Sequence, residues 1–257
     1  MQRVYHILFI LVFFPFCLNF GGCKSINANP RDFPGGIVVF SFDDGPNVYG
    51  DTTLRLLEVL EKYGIRGCFS LLGINADQNP DLVRRIAAGG HRIINHGYGE
   101  KWALFLNDES FSANLLAGQG AIDAALDDPI QSTFGVPIYR PHGGYYKKGQ
   151  RQFWEQQGFC MAPCTIRIYD AVLSGSNRDK AVAQVIGKIE KRGGGIILLH
   201  DGRGAYTTME KQLARNPEGK FYRSWIPSVV EEIILILQEK GYRMDGFDPA
   251  EVPGVLL

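Results

Sequence analysis

The run Ile37-Val38-Val39-Phe40-Ser41-Phe42 is almost wholly β-branched or aromatic, and it stops abruptly at Asp43-Asp44-Gly45-Pro46. Apolar residues without polar alternation mark a strand covered on both faces, the situation of a parallel sheet wrapped by helices. Downstream the pattern repeats. Residues 53–63 carry Leu54, Leu57 and Leu60 at helical spacing and close on Gly64. Residues 66–72 read as a strand, and 80–89 as a helix with Pro80 near its start and Gly89 at its end. Further strands are expected at 92–95, 138–140 and 196–200, and further helices at 113–126, 150–157, 180–191 and 228–240. Strands alternating with helices imply a parallel sheet with helical crossovers, and a barrel of about 250 residues is the natural size match.

The start of the chain belongs to a different environment. An apolar run over residues 7–20, behind Met1-Gln2-Arg3, is shorter than the ~20 residues of a membrane span and has the length of a signal-peptide core. It ends in Phe20-Gly21-Gly22-Cys23-Lys24, small residues before a cysteine, as in a bacterial lipobox. Residues 1–23 are therefore expected to be a leader, 24–36 a linker and 37–257 one domain. The mature protein is expected to be exported, and held to the membrane of a bacterial envelope by an N-terminal lipid or anchor, or otherwise secreted or periplasmic. The sequence carries 27 Lys plus Arg against 27 Asp plus Glu, with no basic stripe, so nucleic acid is not an expected partner. Cys68 reads as a buried strand residue; spacing leaves open whether Cys160 and Cys164 form a disulfide.

The chemistry-bearing residues sit at strand ends, which in barrels of this kind form the active face. Asp43 and Asp44 leave the first strand together, and adjacent carboxylates at the end of an apolar strand need neutralising. His96 follows the strand at 92–95, with Glu100 at i+4, a spacing that brings the two together on one helical turn. Arg140 ends a strand in Arg140-Pro141-His142-Gly143-Gly144, and His200 ends another in Ile196-Ile197-Leu198-Leu199-His200.

In this order these segments resemble the polysaccharide deacetylase, or NodB-homology, family over residues 37–244. Ser41-Phe42-Asp43-Asp44-Gly45 is similar to the first motif, TFDDG, and Leu198-Leu199-His200 to the fifth, LxH. The approach to His96 resembles the second, HxxxH, with Glu100 at the place of the second histidine. Arg140-Pro141-His142-Gly143-Gly144 matches the third, RxPxG, loosely, and Tyr169-Asp170-Ala171 offers the aspartate of the fourth, DxxDW, without its tryptophan.

The resemblance implies an α/β fold, an irregular (β/α) barrel of fewer than eight repeats. It also implies hydrolysis of N-acetyl groups on an acetylated glycan such as chitin or peptidoglycan. Asp43 would be the general base, Arg140 its counter-charge, His200 the general acid and Asp170 the group orienting it. Asp44, His96 and Glu100 would hold a divalent ion, zinc first, with manganese, iron or cobalt as alternatives. Two anionic ligands would weaken the ion as a Lewis acid and favour harder ions than zinc. O-acetyl ester or formamide hydrolysis, and glycan binding without catalysis, are the alternatives within the same fold. The sequence carries no reading of oligomeric state.

Overall fold

The computed structural model describes residues 23–25, 36–126 and 136–246. Residues 1–22 of the leader expected at 1–23 and most of the linker expected at 24–36 lie outside the described residues, as do residues 247–257. Across the expected leader–linker boundary, Cys23–Ser25 forms a short strand, β1, antiparallel to Tyr145–Lys147.

The first apolar run forms the central strand, β2 (Ile37–Gly45), which continues through the acidic pair. After it come α1 (Thr52–Lys62), β3 (Cys68–Leu71), α2 (Gly73–Gln78), α3 (Pro80–Ala88), β4 (Arg92–Asn95) and α4 (Asp108–Ala125). The second half runs β5 (Ile138–Tyr139), β6 (Tyr145–Lys147), α5 (Lys148–Gln156), β7 (Cys160–Met161), β8 (Ile166–Arg167), α6 (Arg178–Arg192), β9 (Gly195–His200), α7 (Tyr206–Arg215), α8 (Ile226–Glu239) and β10 (Arg243–Met244). The large sheet is parallel, in the order β7-β5-β4-β3-β2-β9-β8, with β10 added beside the start of β2. Its curl makes an irregular barrel; among the described residues no pairing joins β7 to β8.

Strand periodicity sorts the core into two layers. Val38, Phe40 and Phe42 point outward into the main core, where they meet Leu56, Leu57 and Leu60 of α1, Val185 and Ile189 of α6, and Ile233, Ile234 and Leu237 of α8. Val39 belongs instead to an inner cluster with Cys68, Ile94, Ile138, Ala162 and Ile196. Each fully buried aliphatic side chain contributes roughly 1.5–3 kcal/mol relative to exposure, so the two layers together fix β2 at the centre. Cys160 and Cys164 are not joined in a disulfide, so that open question is answered in the negative. Among the described residues no helix is long and apolar enough to cross a membrane.

Candidate metal and acid–base centre

The inner layer leads directly to the site. Side chains along a strand alternate faces, so the inward row of β2 runs Val39, Ser41, Asp43. The same alternation takes β4 from Ile94 to His96, β5 from Ile138 to Arg140, and β9 from Leu198 to His200. His96, Arg140 and His200 each stand one step beyond an inward apolar residue, and Asp43 one step beyond Ser41, at the carboxyl ends of their strands. Asp43 lies beside His200 in the β2–β9 register.

Asp44 breaks the alternation, and the backbone shows how. The β2–β3 register slips between Asp43 and Gly45, and Asp44 has a left-handed φ of 71°. A non-glycine residue there costs on the order of 1–3 kcal/mol, strain that collects at functional sites. The bulge brings both carboxylates to one imidazole: His96 Nε2 is 3.7 Å from Asp43 Oδ2 and 3.4 Å from Asp44 Oδ1. His142 Nε2 lies 3.3 Å from the same Asp44 oxygen.

Asp44, His96 and His142 thus offer one carboxylate oxygen and two imidazole nitrogens, all buried and within 4.8 Å of one another. Ligands about 2.0–2.1 Å from a tetrahedral ion stand about 3.3–3.4 Å apart, the spacing that Asp44 Oδ1 keeps from each imidazole. That oxygen is buried without a hydrogen-bond partner, an expensive arrangement unless a cation faces it. His96 Nδ1 donates to the Arg140 carbonyl at 2.7 Å, which leaves the Nε2 lone pair toward Asp44, the tautomer a ligand requires. Burial would raise the Asp44 carboxyl, but His142, His96 and His200 outweigh it and hold it well below its ordinary value. The residues present fit a divalent ion.

Glu100 is not brought to this cluster, which corrects the expected ligand set. The i, i+4 argument needs a helical turn after His96, and the chain there is a loop in which Gly97 takes a φ of 88°. The Glu100 carboxylate instead accepts hydrogen bonds from Ala205 N at 2.8 Å and Thr208 Oγ1 at 2.6 Å. With His142 in its place the set has a single carboxylate, and the expected shift toward harder ions loses its basis. Sequence reading passed over His142 although it lies in the quoted Arg140–Gly144 segment. A histidine gained there while one is missing at position 100 was the signal.

Around the cluster stand three ion pairs, Arg140–Asp43, His200–Asp170 and Arg223–Asp170. Arg140 donates through one guanidinium nitrogen to Asp43 Oδ1 at 2.5 Å and to Ser41 Oγ at 2.6 Å. Its other nitrogens reach the carbonyls of Ala162 and Pro163, each at 3.2 Å, so the guanidinium is fixed from several sides. The Asp170 carboxylate accepts from His200 Nδ1 and from His200 N, both at 2.9 Å. Burial would lower the His200 imidazole, but the charges of Asp170, Asp44 and Asp43 outweigh it and raise it above its ordinary value. Burial likewise works against ionised Asp170, and His200 with Arg223 more than offsets it. Arg223, fully buried, bonds the Asp170 carboxylate and the His200 carbonyl. It was invisible in sequence, since it lies in a long segment without periodicity. Asp201 is also buried here, held by Thr53 Oγ1 at 2.5 Å; burial first, and then the Asp44 and Asp43 charges, push it up to about 7.

Comparison with known proteins gives the family and the fold. A family model described as polysaccharide deacetylase matches residues 31–162. A peptidoglycan-N-acetylglucosamine deacetylase of Bacillus cereus is 26% identical over 174 residues, covering 65% of this chain and 73% of that protein. Among solved structures, the Bc1960 peptidoglycan N-acetylglucosamine deacetylase superposes with a TM-score of 0.65 at 23% identity, over 82% of this chain and 86% of that one. A family 4 carbohydrate esterase from Streptomyces lividans, solved with acetate, gives 0.62 at 21% identity, over 85% of this chain and 95% of that one. At these identities the structural matches speak to the fold.

Proposed function

Since the chain belongs to the polysaccharide deacetylase family, we propose that it is a metal-dependent hydrolase removing N-acetyl groups from a peptidoglycan- or chitin-like amino-sugar polymer. The observation that carries this reading is the Asp44–His96–His142 cluster flanked by the Asp43–Arg140 and His200–Asp170 pairs. Amide hydrolysis adds water across the C–N bond and yields acetate and a free amine. A divalent ion held by Asp44, His96 and His142 would supply a polarised acyl oxygen and water of lowered pKa. Asp43 takes the proton of the attacking water, and Arg140, bonded to its Oδ1, aims that carboxylate and balances its charge. His200 Nδ1–H is committed to Asp170, so Nε2 is the atom that delivers a proton to the leaving nitrogen. In the metal-free protein Asp170, Asp44 and Asp43 outweigh burial and raise His200 above its ordinary value, the direction a proton donor needs.

The test is acetate release from N-acetylglucosamine oligomers and from purified peptidoglycan, with O-acetylated xylan beside them. Release from the N-acetylated substrates, lost on chelation and restored by zinc, is expected. Release confined to the O-acetylated substrate would overturn the N-deacetylase reading, and glycan binding without any acetate would overturn catalysis.

We further propose that the protein is exported and held at a bacterial envelope through Cys23. The support is the apolar run over residues 7–20 and the Gly21-Gly22-Cys23 segment after it. Mass spectrometry of the native N-terminus should find a lipid-modified Cys23. An unmodified terminus elsewhere would exclude it.

A further inference from the structure

Glu100 stands where the family motif has a histidine, and its carboxylate has another employment. Ala205 N and Thr208 Oγ1, its two donors, lie at the start of α7, so the loop after β4 caps that helix. One residue earlier, Gly204 has a φ of 80°, and a Cβ there would collide with the Glu100 carboxylate. Gly204 N donates to Asp44 Oδ2 at 3.0 Å. Asn75 clasps the same turn from below. Its Nδ2 donates to Gly204 O at 3.1 Å and to Asp44 O at 3.0 Å, while its Oδ1 accepts from Tyr206 N at 2.8 Å. The remaining Asp44 oxygen, Oδ1, is the one that faces both imidazoles.

From this chain of contacts we infer that Glu100 and Asn75 are positioning residues for Asp44, acting through the Gly204 N–H. They fix the turn at 204–206, the turn ties down Oδ2, and Oδ1 is left presented to His96 and His142. A carboxylate released from that tether would rotate, and the donor atoms would no longer be organised in advance of the ion. The inference rests on the reading of Asp44, His96 and His142 as a metal site.

Competition titrations with Zn²⁺ and thermal melts of the metal-free protein test it, on wild type and on Glu100→Ala, Glu100→Gln, Asn75→Ala and His142→Ala. Loss of such a supporting contact costs about 10–100-fold in metal affinity, so Glu100→Ala and Asn75→Ala should each weaken zinc about tenfold. Glu100→Gln keeps an acceptor oxygen for Ala205 N and should stay within about threefold of wild type. Wild-type zinc affinity in Glu100→Ala with a lowered melting temperature would overturn the inference and leave Glu100 a helix cap alone. If Glu100→Ala does not fold, wild-type affinity in Asn75→Ala overturns it equally. Wild-type affinity in His142→Ala would instead sink the metal reading, a result distinct from either.

Discussion

At the level of single residues the site is a set of buried charges whose values depend on one another. Asp43 and Arg140 are buried together, and removing one partner of a buried pair costs about 3–5 kcal/mol because the other charge is stranded. Asp43→Asn is the milder probe. It keeps shape and removes the proton acceptor, so turnover should fall by about 10²–10⁴-fold with zinc affinity kept. Near-wild-type turnover would remove Asp43 from the base role. His200 makes a prediction about pH in the metal-free protein. Its folded value is raised above the ordinary 6.5, so it binds a proton more tightly folded than unfolded. Its contribution to stability is therefore fully present below about pH 6.5 and is lost as pH rises through the raised value. His200→Gln should destabilise the metal-free protein more at about pH 6 than at about pH 9. A stability gap that does not change between those two denaturation curves would contradict this.

The elements explain what a sequence can and cannot disclose. Strands β2, β4 and β9 were legible because their apolar residues are continuous or strictly placed, and each inward row ends on a polar residue of the candidate site. Helices α1, α3, α6 and α8 were legible for the complementary reason, a 3.6-residue apolar period. Helix α7 was not, since Met209 is its one buried residue and its start is fixed by Glu100 and Asn75 from elsewhere in the chain. Strands β7 and β8 contain two residues each, too few to show a period. The acidic pair was legible as chemistry, but its bulge was not, because a left-handed aspartate leaves no mark in composition. Helix α4 packs closely against the loop carrying His96. A Cβ on Gly118 would stand 2.7 Å from Asn95 Oδ1 and 2.7 Å from the Gly97 carbonyl carbon. Alanine is intrinsically better than glycine in a helix by about 1 kcal/mol, whereas overpacking costs about 1–3 kcal/mol. Because the obstruction includes backbone, Gly118→Ala should come out net destabilising and should weaken zinc binding by displacing His96. A variant more stable than wild type, measured by denaturant titration, would show that helix and loop can part freely.

Across the whole molecule the three donors come from three crossovers: Asp44 ends β2, His96 follows β4 and His142 follows β5. They converge only because the barrel curls, so the unfolded chain has no such site and an ion that binds the cluster binds the folded state alone. Linkage then sets the size of the effect. At a free zinc concentration one hundred times the dissociation constant, the folded state gains about 2.7 kcal/mol. For a chain of this length each kcal/mol moves the melting temperature by about 2–4 °C, so zinc should raise it by roughly 5–11 °C. His142→Ala should lose most of that increment. Its metal-free melting temperature should fall as well, because His142 is the leading partner that, against burial, holds Asp44 below its ordinary value, so each zinc increment is read against the variant's own metal-free value. Magnesium, which prefers oxygen ligands in octahedral geometry, should give a much smaller rise than zinc. Scanning calorimetry with chelator, zinc or magnesium decides the matter. Equal increments in wild type and His142→Ala would place the ion elsewhere on the molecule.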